Sequence, residues 1–149
     1  MKRILSALLT LAGAAALVVL PIMSKHDVTA VHAQGGCSNA TLSGNYGGTF
    51  SGFQLQHNKS VPFFGAGLST FDGAGNLSAT LAFSVNGTGS TNNPYTATYT
   101  VNPDCTVSVT ATPGSGGDNF AGVIVGGGAE VLATDISAPD TLSLDIKRQ

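Results

Sequence analysis

Residues 95–112 alternate strictly between apolar and polar side chains, and this pattern constrains the fold more than any other in the chain. The stretch is Y-T-A-T-Y-T-V-N-P-D-C-T-V-S-V-T-A-T, with two alternating runs on either side of Asn102-Pro103-Asp104. Successive side chains of a strand point to opposite faces, so a period of two predicts two strands with one dry and one wet face each. Proline fixes φ for a turn, and asparagine and aspartate tolerate turn conformations. The stretch therefore predicts a β-hairpin.

Similar short runs, separated by turn residues, occupy most of the chain from residue 45 onward. Eight short strands with no helical period predict an antiparallel all-β domain. Because sequential hairpins favour neighbouring strands, we expect an eight-stranded antiparallel up-and-down barrel, with a two-sheet β-sandwich as the alternative. The strands are predicted at residues 45–55, 62–71, 76–85, 95–101, 105–112, 119–125, 129–136 and 141–148, with loops at 56–60 and 86–93.

The first strand contains a change of phase. Tyr46 and Phe50 belong to one phase of the alternation, whereas Phe53 and Leu55 belong to the other. One extra residue at Ser51-Gly52 would restore the register, and glycine commonly marks such an insertion. We therefore expect a β-bulge at this position.

The N-terminus has the pattern of a secretory signal peptide. Two basic residues precede an apolar run at residues 4–20, and residues 31–33 supply small side chains at the spacing that a signal peptidase recognises. The run is also long enough to span a bilayer, so a retained anchor is the alternative. We expect residues 1–33 to be a signal peptide and residues 34–149 to be a single β-barrel domain. The mature protein would be secreted or periplasmic, without stable membrane insertion.

The predicted mature chain is acidic and almost free of basic residues. It contains three lysines and arginines against seven aspartates and glutamates, which gives a net charge of −4. Without a basic patch to meet a phosphate backbone, we expect no nucleic-acid partner.

The two cysteines, Cys37 and Cys105, both fall in the predicted exported part. An even number of cysteines in an oxidising compartment predicts one disulfide. The alternative of a redox pair or metal site lacks both C-x-x-C spacing and neighbouring histidines, so we expect no metal and no cofactor.

Four blocks of sequence resemble a family of small exported bacterial proteins of unassigned function. They are C-S-N-A-T-L-S-G-N-Y-G at residues 37–47, F-D-G-A-G-N-L-S at 71–78, Y-T-V-N-P-D-C-T at 99–106 and the closing K-R-Q. The resemblance implies a calycin-like barrel, the fold group that includes lipocalins and the allene oxide cyclase barrel. The Gly-x-Trp motif that starts a lipocalin is missing, since the chain has no tryptophan, so lipocalin ligand binding is not implied.

No catalytic constellation is recognisable in the sequence. His57 is the only histidine after residue 33, it lies in a polar loop, and there is no G-x-S-x-G elbow to accompany it. Residues 72–76 lack the ligand spacing of an EF-hand and are predicted to form a turn. Glu130 is the one weak catalytic candidate, because both faces of its strand carry an acid and a carboxylate in an apolar interior has a raised pKa.

The sequence is compatible with three functions, of which ligand binding is the leading hypothesis. The leading hypothesis is a non-catalytic binding module for a small apolar ligand. The alternatives are a secreted structural or surface protein with a filled barrel, and a cyclase- or isomerase-like enzyme that uses an interior carboxylate. The sequence does not determine the oligomeric state. The residues expected to line the ligand site are Tyr46, Phe50, Leu81, Phe83, Tyr95, Tyr99 and Leu144.

Overall fold

Eight antiparallel strands form a closed barrel in the computed structural model, which describes residues 36–149. Each strand pairs with the next along the chain, and the last strand pairs with the first. This topology confirms the up-and-down barrel predicted from the alternation. The predicted signal peptide lies outside the described residues. The strands are β1 (Ser43–Gln56), β2 (Lys59–Asp72), β3 (Asn76–Val85), β4 (Thr88–Val101), β5 (Thr106–Ala111), β6 (Phe120–Val125), β7 (Glu130–Asp135) and β8 (Thr141–Arg148).

The hairpin that dominates the sequence is β4 and β5, paired in register with Tyr99 opposite Val109. From Tyr95 to Val101 and from Val107 to Thr110, the apolar side chains are buried and the polar side chains between them are exposed, as a period of two requires. The buried residues of all eight strands face inward and form the core of the barrel.

Two connections are tighter than the sequence pattern indicates. His57 and Asn58 have φ values of 51° and 62°, and Asn86 and Gly87 have values of 48° and 85°. Positive φ at both central residues matches the twist of the flanking strands, as in a type I′ hairpin turn. The predicted loops at residues 56–60 and 86–93 are therefore two-residue turns, and β4 begins at Thr88.

The expected bulge at Ser51-Gly52 is wrong. Strand β1 pairs with β2 without a shift of register along its whole length, and the one irregular register lies between β3 and β4. A Cβ atom on Gly52 would lie 1.9 Å from the carbonyl oxygen of Thr141, so the neighbouring strand leaves no room for a side chain at this position. Because the alternation of β1 continues unbroken through Gly52, Phe53 and Leu55 point outward, and Phe53 is 55% exposed.

One end of the barrel, where β1 begins and β8 ends, is closed by residues 37–42; we call it the plugged end. A single 3-10 turn at Asn39–Thr41 leads to Leu42, which is fully buried. The disulfide between Cys37 and Cys105 ties this segment to the start of β5, as predicted. Within residues 36–149 there is no helix with the length and apolar character needed to cross a membrane.

The opposite end is formed by the two tight turns and by two longer loops, residues 112–119 and 136–140; we call it the mouth. Strand β1 pairs with β8 only as far as Phe53, and β2 pairs with β3 only from Phe63. The tip of the β1–β2 hairpin therefore extends past its neighbours at the mouth.

Candidate ligand-binding site

The barrel encloses a cavity of about 170 Å³ that is lined mainly by apolar side chains. The polar residues that line it include Gln54, Ser69 and Asp118. Its depth is formed by aliphatic residues such as Val131 and Ile146, which are almost completely buried. Its aromatic lining is Phe50, Phe63, Phe71, Phe83, Tyr95 and Phe120.

Three phenylalanines form a continuous aromatic wall toward the mouth. The ring centroid of Phe63 lies 5.4 Å from that of Phe50 and 5.3 Å from that of Phe83. These separations and tilts are those favoured by the aromatic quadrupole. Gly65 makes the arrangement possible, because a Cβ atom there would lie 2.1 Å from the Phe50 ring.

The residues that we expected to line a ligand site divide into two groups. Phe50, Leu81, Phe83, Tyr95 and Leu144 line the cavity, whereas Tyr46 and Tyr99 do not. The structure brings the first five together around one space, and their contact with a ligand stays a prediction.

Tyr46 and Tyr99 instead hold the plugged end together. The Tyr46 hydroxyl donates to the carbonyl oxygen of Gly128 (2.6 Å) and accepts from Nη2 of Arg148 (2.9 Å). The Tyr99 hydroxyl donates to the carbonyl oxygen of Leu42 (2.8 Å). Both tyrosines are buried, so these hydrogen bonds satisfy groups that water does not reach.

Residues 112–119 fold over the mouth and are fixed there by Tyr95. The Tyr95 hydroxyl donates to the carbonyl oxygen of Asp118 (2.8 Å). Gly117 packs so closely on the Tyr95 ring that a Cβ atom would lie 2.2 Å from it. Burial, with the charges of Asp118 and Asp135, raises the pKa of Tyr95 to about 12, so this hydroxyl remains a donor at neutral pH.

Three carboxylates gather at the mouth. Burial, and then the charges of Asp135 and Asp140, raises the pKa of Asp118 to about 6. Asp135 shares the inward face of β7 with Val131 and Ala133, and its Oδ2 atom is buried without a hydrogen-bond partner among the described residues. Asp140 is better satisfied, because it accepts from the backbone N–H of Leu55 (2.9 Å).

The acid that the sequence suggested for catalysis lies elsewhere. Glu130 is on the face of β7 shared by the exposed Leu132, near the plugged end, and forms an ion pair with Nζ of Lys147 (3.2 Å). The hydrogen bond that Lys147 donates to Glu130 raises the pKa of Lys147. The acid of β7 that faces the interior is Asp135, which follows the inward phase of Val131.

The other polar candidates occupy turns. His57 is exposed at the tip of the β1–β2 hairpin. Residues 72–76 form the predicted turn, in which Oδ1 of Asp72 accepts from the backbone N–H groups of Ala74 (2.8 Å), Gly75 (2.9 Å) and Asn76 (2.9 Å). Hydrogen bonds, the largest from the side chain of Asn76, lower the pKa of Asp72 to about 2.

Within residues 36–149, no group of three or more histidine, cysteine, aspartate or glutamate side chains is arranged to hold a metal ion. Comparison of the chain with protein-family models, with curated proteins and with solved structures finds no match.

Proposed function

We propose that this protein binds a small apolar ligand, of about the size of one aromatic ring, inside its barrel and does not change it chemically. The observation that carries the proposal is the cavity of about 170 Å³ with its aromatic and aliphatic lining. An apolar cavity of about 150 Å³ remains dry and accepts benzene in a protein core. Burial of apolar ligand surface supplies the driving force for binding.

The cavity also limits the size of the ligand. Pockets for drug-sized ligands usually occupy about 300–1,000 Å³. A cavity of about 170 Å³ therefore favours compounds such as toluene over long-chain lipids. The calycin-like fold that the family resemblance implies and the export that the N-terminal pattern predicts belong to the same proposal. The disulfide supports export because such bonds persist in oxidising compartments.

A graded series of probes tests the proposal. Toluene should bind more tightly than the larger naphthalene, as measured by calorimetry, and palmitate should not bind. Native mass spectrometry of protein from its own host should show a small ligand, and the mass of the chain should correspond to a start near Gln34. If no probe binds and the native protein carries nothing, the binding function is excluded.

One pair of variants makes this test specific for the interior. Ala79 and Ala82 lie on the same strand, but Ala79 lines the cavity and Ala82 is exposed on the outer face. Ala79→Leu should fill part of the cavity and abolish binding of toluene, whereas Ala82→Leu should bind like the unmodified protein. Equal binding by both variants would place the toluene site outside the barrel.

The second candidate function is structural, and the small size of the cavity favours it. An interior with less room than ordinary ligand pockets can also be the imperfectly packed core of a secreted surface protein. The probe series separates the two functions, since a structural barrel would not bind toluene with measurable affinity. No observation favours a cyclase that uses Glu130, because that carboxylate lies on the outer face.

A further inference from the structure

We propose that the ligand is a small organic cation: an ammonium group on an apolar body, with the ammonium held at the mouth by Asp118. This inference rests on the proposed binding function and adds the chemical class of the ligand.

Asp118 is the one charged residue among the described residues that line the cavity, and it lies at one end. Asp118 lines it at the mouth, whereas Val131 and Ile146 lie in its depth. A ligand that fills this space would therefore place an apolar body among the aromatic and aliphatic side chains and a polar group beside Asp118. The Asp118 carboxylate is half-buried and lacks a hydrogen-bond donor or a cation among the described residues. Partial burial of a carboxylate without a partner costs free energy, which a bound cation would offset.

The surroundings of Asp118 also favour positive charge. Asp135 and Asp140 lie near enough for their charges to act on Asp118. The Oδ2 atom of Asp135 is buried and unpartnered, on the inward face of β7. The Tyr95 hydroxyl donates its hydrogen bond to the backbone carbonyl oxygen of Asp118, and not to the Asp118 carboxylate.

The three basic side chains of residues 36–149 do not neutralise this end. Lys147 pairs with Glu130 near the plugged end, and Arg148 donates its hydrogen bonds to Tyr46 and Thr41 there. Lys59, next to the His57–Asn58 turn, has no carboxylate within the 4.0 Å of an ion pair. The mouth therefore presents carboxylates without a counterion, which attract a cation and repel a fatty acid.

A bare metal ion fits this site less well than an organic cation. The described acids do not form a group that could hold a metal. The aromatic wall of Phe50, Phe63 and Phe83 would contribute nothing to a hydrated ion, but it can contact a hydrocarbon body and attract an ammonium group.

Three probes of nearly equal shape test the charge preference: toluene, benzyl alcohol and benzylamine. At pH 7.5 and low salt, benzylamine should bind about tenfold more tightly than benzyl alcohol, since charge-assisted hydrogen bonds are the stronger kind. The preference should decrease as the pH falls through about 6, because Asp118 becomes protonated while benzylamine keeps its charge.

Two variants assign the effect to the mouth. Asp118→Asn should remove the preference for benzylamine and retain binding of toluene. Asp145→Asn is the matched control, because it makes the same change of charge on the exposed outer face of β8 and should retain the preference. Urea unfolding of both variants checks that each is folded.

The outcomes separate this inference from the function on which it rests. Binding of toluene without a preference for benzylamine overturns the cationic ligand and leaves the apolar binding function intact. A preference that survives Asp118→Asn overturns the role of Asp118. If toluene and benzylamine both fail to bind, the binding function itself is overturned.

Discussion

Tyr46 joins three parts of the plugged end through one hydroxyl group. Its side chain is fully buried, its hydroxyl donates to the carbonyl of Gly128, and it accepts from the guanidinium of Arg148. Arg148 in turn donates to the carbonyl of Thr41. The 3-10 turn before β1, the turn between β6 and β7 and the end of β8 are thus connected through the Tyr46 phenol and the Arg148 guanidinium.

We expect Tyr46→Phe to destabilise the protein by about 1–3 kcal/mol, because it leaves a buried carbonyl and part of a guanidinium without their partner. The affinity for toluene should not change, since Tyr46 does not line the cavity. Urea unfolding and calorimetry measure the two effects, with the exposed-strand variant Thr96→Ser as control. Lost affinity at unchanged stability would show that Tyr46 belongs to the ligand site.

Among the elements, residues 37–42 are the segment that closes one end of the barrel, and we call this segment the plug. Its backbone is fixed by the Tyr99 hydroxyl and by the Asn39 side chain, which accepts from the N–H of Val101 (2.8 Å). The disulfide adds a covalent tie between residues separated by 68 positions.

Replacing Cys37 and Cys105 together by serine should lower the free energy of unfolding by about 4 kcal/mol in the chain-entropy model for a loop of this length. The plug should open more often, so exchange of the Leu42 amide, which donates to the carbonyl of Asn39 (3.1 Å), should accelerate. Hydrogen exchange and urea unfolding measure both effects. Unchanged exchange at Leu42 would mean that Tyr99 and Asn39 hold the plug without the disulfide.

The strands were predictable because each has one buried and one exposed face for most of its length. The predicted direction of the side chains is wrong only near the end of β1, where the strand no longer has the barrel interior on one side. Phe53 and Leu55 lie where β1 passes the rim of the barrel, and a strand without an interior does not require its apolar residues to face inward. The Asn86-Gly87 turn was missed although Asn-Gly is the strongest short hairpin signal.

The candidate site was predictable in part, because alternation indicates the face of a residue and not its height along the barrel. Tyr99 and Tyr95 share a face of β4, yet Tyr95 lines the cavity and Tyr99 fixes the plug. Asp118 follows a glycine-rich loop without periodicity, so no pattern placed it at the mouth. Asp135 did carry a signal, since it shares the phase of Val131 on β7.

For the whole molecule, both ends of the barrel carry carboxylates, but in different surroundings. Lys147 and Arg148 are near the plugged end, and Asp118, Asp135 and Asp140 are at the mouth. The carboxylates at the two ends respond to their surroundings in opposite ways. Hydrogen bonds stabilise the charged form of Asp72 at the plugged end, whereas burial and neighbouring charge destabilise that of Asp118.

These opposite shifts predict opposite pH dependences of stability. The folded-state pKa of Asp72, about 2, lies below its ordinary value of 3.8, so Asp72 stabilises the fold above about pH 4 and loses this effect as the pH falls toward 2. The folded-state pKa of Asp118, about 6, lies above its ordinary value, so its favourable contribution is present below about pH 4 and is lost as the pH rises through 6.

Asp118→Asn should therefore raise the free energy of unfolding at pH 7 by about 1 kcal/mol, a value reduced by solvent screening of this partly exposed carboxylate. Asp72→Asn should lower it at pH 7. Urea unfolding from pH 2 to pH 8 should show the gain from Asp118→Asn disappear below about pH 4 and the loss from Asp72→Asn disappear near pH 2. A gain from Asp118→Asn that persists at pH 3 would mean that packing at the mouth, and not a buried charge without a partner, limits the stability of the empty barrel.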